Sequence, residues 1–166
     1  MQEIAIKELK ENFIKDISDE WMLISAGNEK KYNMMTASWG FMGEIWGEDS
    51  VVIFIRPQRY TLEFVEKYDT FSLSFYGTDK QIHKLCGHIS GRDVDKMKES
   101  GLTPEFVCGA PCFKEARLNI VCKKMYTDRI KPENFIDKSK DTKWYLDSDH
   151  HIVFIAKIEK VKVNKN

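Results

Sequence analysis

Three stretches of the chain carry polar side chains where a purely structural element has no use for them. The first is Asn33-Met34-Met35-Thr36-Ala37-Ser38-Trp39-Gly40. Its small and hydroxyl residues would let a flat ligand approach the backbone, whose amides and carbonyls can pair with the edge of a heterocycle. Read without its neighbours, the stretch is a little better explained as a strand with Thr and Ser on its wet face. The second is Arg56-Pro57-Gln58-Arg59-Tyr60-Thr61, between an apolar strand and a helix start. Two guanidiniums, a hydroxyl and free helix amides converge there, which suits phosphate, and Arg is the cation for a multidentate grip. Surface pairing with Glu63 or Glu66 is the plain alternative, and it is worth little. The third is Ser90-Gly91-Arg92-Asp93-Val94-Asp95-Lys96, which repeats the ingredients: a hydroxyl, a glycine, cations and a helix start. A capped helix accounts for Gly91 and Asp93 but not for Arg92 with Lys96. Each stretch is weak alone. Together they propose a flat, phosphorylated cofactor.

The elements that must position these residues are mostly strands. Trp21–Ala26 reads as a strand closed by a turn at Gly27-Asn28, and Asn33–Trp39 as a second, broken by Gly40 and Gly43. Val51–Ile55 is β-branched and apolar on both faces, the pattern of a central buried strand. Phe71–Phe75 alternates Phe and Leu with Ser, as a half-buried strand does. Ala116–Cys122 alternates in the same way, and His151–Val163 reads as one long last strand. The helices are short: Leu62–Tyr68 capped by Thr61, Lys80–Cys86 capped by Asp79, and Val94–Ser100 capped by Asp93 and ended by Gly101. Pro132-Glu133-Asn134 suggests one further turn. This pattern predicts one mainly β domain over residues 1–166, an antiparallel barrel or sandwich with a few short helices attached. No Gly-x-Gly-x-x-Gly or Gly-Lys-Ser/Thr loop supports a parallel nucleotide-binding sheet.

Composition bounds the partners. Zero net charge over 166 residues gives no general attraction to nucleic acid or to an anionic membrane. Met1 to Phe13 mix charged with apolar residues, so no signal-peptide core is present, and the longest apolar runs are far too short to span a bilayer. Four cysteines in such a chain read as reduced thiols, and a cytoplasmic location is expected. Cys108 and Cys112 enclose Gly109, Ala110 and Pro111, residues suited to a turn. No second pair with zinc spacing follows, so no metal site is expected.

With the three motifs in this order, the chain resembles the flavin reductase-like, FMN-binding split-barrel family. The resemblance continues through Phe113-Lys114-Glu115-Ala116 and Cys122-Lys123-Lys124-Met125-Tyr126 to the last strand. It implies a split, antiparallel, Greek-key-like β-barrel, usually a homodimer, that holds FMN without a covalent bond at the subunit interface. It assigns Asn33, Met35, Thr36, Ala37, Ser38 and Trp39 to the flavin ring and ribityl chain. Arg56, Pro57, Arg59, Tyr60 and Thr61 go to phosphate and ribityl, and Ser90, Gly91, Arg92 and Lys96 to the remaining phosphate side. Where relatives carry Asp-His before a Gly-Glu pair, this chain has Asp149-His150-His151 and then Ala156-Lys157, a departure in the last strand. His151 is a candidate contact for nicotinamide or substrate, although a His at a strand start is more often structural. The implied activity is transfer of reducing equivalents from NAD(P)H through FMN to a flavin, a small acceptor or a partner protein. A flavoredoxin-like FMN electron carrier is the alternative, and a flavin-free barrel binding an anionic ligand is the third.

Overall fold

The computed structural model describes residues 1–164. Its strands are β1 (Gln2–Ile4), β2 (Met22–Asn28), β3 (Lys31–Ala37), β4 (Gly40–Ile45), β5 (Glu48–Ile55), β6 (Thr70–Phe75), β7 (Pro104–Val107), β8 (Ala110–Phe113), β9 (Leu118–Arg129) and β10 (Ile152–Val163). Helices are α1 (Phe13–Lys15), which runs on into a wide turn over Asp16–Glu20, α2 (Thr61–Lys67), α3 (Gln81–His88), α4 (Lys96–Ser100) and α5 (Lys138–Trp144). Eight strands form one sheet in the order β3-β2-β6-β9-β10-β5-β4, with β1 added beside β10 and every pairing antiparallel. Strands β7 and β8 make a separate hairpin. The mainly antiparallel class and the short attached helices agree with the sequence pattern.

The core lies inside the curve of this sheet. Met22, Ile24, Val51, Ile53, Phe71, Leu73, Phe75, Ile120 and Phe154 are buried there, and Leu62, Phe64 and Val65 of α2 close one end. Apolar burial of this kind is the main driving force of the fold. Val51–Ile55 is paired on both sides, by β4 and β10, but it lies next to the sheet edge and only Val51, Ile53 and Ile55 are buried; Val52 and Phe54 are half-buried, so it is not the central strand buried on both faces that its apolar run predicts.

Several local expectations are corrected. Gly27 and Asn28 stay in β2; the turn falls at Glu29-Lys30, where Asn28 Oδ1 accepts from the amides of Lys30 and Lys31. Gly40 and Gly43 do not end extended structure but belong to β4, which pairs with β5. Phe71–Phe75 is buried on both faces. Its serines are interior because partners satisfy them: Ser72 donates to the Pro111 carbonyl and Ser74 to Asn119 Oδ1. Ala116 precedes its strand, which continues to Arg129. Thr61 is the first residue of α2 and not its cap, and Lys80 and Asp95, not Asp79 and Asp93, hold the cap positions of α3 and α4. Gly101 ends α4 in the left-handed region at φ 67°, as expected. The Cys108–Cys112 turn is made by Cys108 and Gly109, while Ala110 and Pro111 already belong to β8.

A candidate cofactor cleft between two strands and a turn

The chain leaves β3 at Ala37 and enters β4 at Gly40, so Ser38 and Trp39 cross between the two ladders. Across from them, β5 ends at Ile55 and a tight turn follows. Pro57 supplies the fixed φ for its second position, and the Arg59 amide closes it on the Arg56 carbonyl at 3.0 Å. Between crossing and turn lies a cleft of about 390 Å³, lined by Met35, Thr36, Ala37, Ser38, Trp39, Phe54, Arg56, Arg59, Trp144 and His151. That volume lies in the range of small-molecule and cofactor sites.

The first two motifs and His151 are thus brought together. Thr36 is fixed by donating to the His83 carbonyl of α3 at 2.7 Å. Arg59 donates to the Gly87 carbonyl at 2.9 Å and to the Cys86 carbonyl at 3.4 Å, both in the last turn of α3. Those carbonyls have no partner within the helix, and a cation there opposes the negative end of its dipole. Burial lowers the Arg59 pKa from its ordinary value. Arg56 pairs with Asp149 and donates to the Trp144 carbonyl at 2.9 Å, which ties the turn to the end of α5. Trp39 packs edge-on against Trp144 at 5.1 Å and lies 5.0 Å from the His151 ring. Burial and the Arg56 charge push His151 down to about 4, so its ring is neutral at pH 7.

The third motif lies elsewhere. Asn33 is buried, and its side-chain amide donates to Thr61 Oγ1 at 2.9 Å. Gly91 packs so closely on Asn33 that an added Cβ would sit 2.1 Å from Oδ1, so any larger residue there would have to displace the Asn33 side chain. Ser90 Oγ accepts from the Arg92 amide at 3.2 Å, and the Arg92 guanidinium covers the Tyr60 ring and pairs with Glu63. Asn33, Pro57, Tyr60, Thr61, Ser90, Gly91 and Arg92 therefore flank the cleft without lining it. Lys96 is the clearest departure. It is buried, and Nζ donates to the Met34 carbonyl at 2.8 Å and the Cys86 carbonyl at 3.0 Å. Burial lowers it to about 8.

Two lining residues were not among the candidates. Phe54 has no signal of its own, since Val51–Ile55 is apolar throughout and only the structure shows that Phe54 lies on the half-buried face of β5. Trp144 has none, because α5 lies far along the chain. A second groove, about 570 Å³ and almost wholly apolar, shares Ser38, Trp39 and Phe54 with the cleft and adds Ile14, Ile17, Gly40, Phe41 and Ile130.

A slot of small residues, aromatic walls and two guanidiniums on an antiparallel sheet define a protein that can hold a flat aromatic ligand bearing an anion. Residues 15–166 match the family described as flavin reductase like domain, and the chain belongs to that family. Flavoredoxin from Methanosarcina acetivorans superposes with a TM-score of 0.67 at 19% identity, over 99% of this chain and 77% of that one. A split-barrel-domain protein from Shewanella frigidimarina gives 0.69 at 19% identity over 93% and 72%. An FMN-binding protein from Thermus thermophilus, solved with p-hydroxybenzaldehyde, gives 0.67 at 19% over 100% and 83%. The fold is a split barrel. No curated protein matches the chain. Family membership supports a flavin-related redox function.

Proposed function

We propose that the chain is an FMN-binding oxidoreductase that takes reducing equivalents from NAD(P)H and delivers them to a flavin, a small acceptor or a partner protein. One observation carries this reading: Met35 to Trp39, Arg56, Arg59 and His151, distant in sequence, line a single cleft. The residues fit FMN. Thr36, Ala37 and Ser38 would face the ring, and Arg59 with Arg56 would hold the phosphate. Tyr60, Thr61, Ser90, Gly91 and Arg92 would support that end from the flank or from a second subunit. FMN, when bound, supplies the hydride chemistry; the protein binds it, orients the donor against it and excludes water. The site is completed by a homodimer, supported by the apolar groove that opens beside the cleft. No helix among the described residues is long and apolar enough to cross a membrane, and the four free thiols suit a reducing cytoplasm.

A spectrum of the purified protein, taken anaerobically before and after NADH or NADPH, tests this reading. About one FMN per chain, bleached by a nicotinamide, is the expected result. Bound FMN that neither nicotinamide bleaches would instead indicate an electron carrier. A colourless protein that takes up no FMN would overturn both.

A further inference from the structure

Behind the His151 ring stands a buried side-chain relay that the flavin reading leaves unused. Tyr145, the residue that ends α5, is buried, and its hydroxyl lies 2.9 Å from His151 Nδ1. The Tyr145 ring is held in place from two directions. It stacks on His150 at 4.4 Å and 16°, and His150 is itself fixed by Asp141 Oδ1 at 2.6 Å from Nε2. The Arg56 guanidinium lies 5.3 Å from the Tyr145 ring centre and is anchored by Asp149. Among the described residues His151 Nε2 has no hydrogen-bond partner, and the ring lines the cleft beside Trp39.

A neutral imidazole carries one proton, and the Tyr145 contact decides where it sits. A phenol is the better donor of the two groups and the imidazole nitrogen the better base, so the hydroxyl donates to Nδ1. Burial raises the Tyr145 pKa further, which keeps that proton on the oxygen. We propose that Tyr145 is a positioning residue that locks the His151 proton on Nε2. His151 thereby offers the cleft a neutral N–H donor for the carboxamide oxygen of a nicotinamide hydride donor. The second half of this proposal rests on the flavin reading of the cleft. The ionisable groups around His151 are Arg56, Asp149 and His150. A donor without charge suits a neutral carbonyl oxygen, whereas an anionic group would be drawn to Arg56 and Arg59 instead.

Long-range ¹⁵N NMR of histidine-labelled protein without added ligand tests the proposal, together with the steady-state kinetics of Tyr145→Phe. For the natural chain at pH 6–8, His151 should show an unprotonated Nδ1 and a protonated Nε2. Tyr145→Phe should give a mixture of tautomers and raise KM for the nicotinamide about 3–10-fold, the value of one neutral hydrogen bond, with kcat changed less than about twofold. A protonated Nδ1 in the natural chain would overturn the proposal, as would a variant with unchanged tautomer or unchanged KM. If Tyr145→Phe fails to fold, the spectrum of the natural chain still decides. If no nicotinamide is oxidised, the flavin reading and the carboxamide assignment fall, while the spectrum separately reports whether Tyr145 sets the tautomer.

Discussion

Arg59 and Lys96 show how two cations beside the same helix end come to different work. Both donate to the Cys86 carbonyl, but Arg59 also lines the cleft while Lys96 reaches across the interior to the Met34 carbonyl of β3. A charge-assisted bond to a phosphate is worth about 1.5–3 kcal/mol. Arg59→Ala should therefore weaken FMN about 10–100-fold and riboflavin less than about threefold, measured by quenching of flavin fluorescence. Equal losses for the two ligands would place the phosphate elsewhere. Lys96→Met should behave in the opposite way, since it takes a buried donor from the Met34 carbonyl and leaves the Cys86 carbonyl only the longer Arg59 contact. A loss of about 2–4 kcal/mol in urea unfolding is expected, with the ratio of FMN to riboflavin affinity unchanged within about twofold.

Among the elements, α3 does most to shape the cleft, because its carbonyls at His83, Cys86 and Gly87 fix Thr36, Lys96 and Arg59. It also carries a weakness. The His83 ring is buried between Trp21 and Tyr76, and among the described residues neither ring nitrogen has a hydrogen-bond partner. Burial and the nearby Lys80 charge push its pKa down to about 4. The unfolded chain takes that proton near pH 6.5 and the folded chain only near 4, so stability is full above about 6.5 and falls as the pH drops towards 4. By pH 5 the cost is about 2 kcal/mol. Asp16, raised to about 6 chiefly by burial and by Glu11, acts with the opposite sign between about 4 and 6. His83→Leu should shrink the stability difference between pH 7.5 and pH 5 by about 2 kcal/mol in urea titrations, at little cost at pH 7.5. An unchanged difference would mean that His83 does not carry the acid sensitivity.

The strands β2, β3, β5, β6, β9 and β10 were legible in the sequence as apolar or alternating runs, whereas β1, β4, β7 and β8 were not, because their short or glycine- or proline-bearing stretches carry no such pattern. Helix starts were legible only to within a residue or two: α4 is capped by Asp95, whose side chain accepts from the Met97 and Lys98 amides, while at α3 Asp79 does accept from the Gln81 amide although Lys80 holds the cap position. The β3–β4 crossing and the Arg56–Arg59 turn were readable as local chemistry, since hydroxyls, guanidiniums and a proline announce themselves. The interior place of Lys96 was not, because nothing local distinguishes a lysine aimed at phosphate from one aimed at the carbonyls of Cys86, ten residues back, and Met34, sixty-two back. Trp144 lines the cleft, and Tyr145 and Asp149 hold its His151 and Arg56, through contacts that no local pattern announces.

At the scale of the molecule, the groove beside the cleft leaves apolar side chains in water. Ile14 is 84% exposed and Phe41 64%, and Trp46, at the end of the β4–β5 hairpin, is 62% exposed. Ile14 and Phe41 line the groove that shares Trp39 and Phe54 with the cleft, so covering one wall would also close the other. A second copy of the chain is the simplest cover, because a two-fold dimer buries the same patch on both subunits. Phe41 stands on β4, the edge of the sheet opposite β3, and packs edge-on against Phe54 at 5.7 Å. Sedimentation velocity should show twice the 19.5 kDa chain mass for the natural protein. Phe41→Glu places an unpaired charge in the covered patch and should shift the protein to monomer. Because the patch and the cleft share a wall, the same variant should lose FMN affinity by at least about tenfold while its far-ultraviolet circular dichroism stays unchanged. A monomer that keeps full FMN affinity would show that the cleft is complete within one chain.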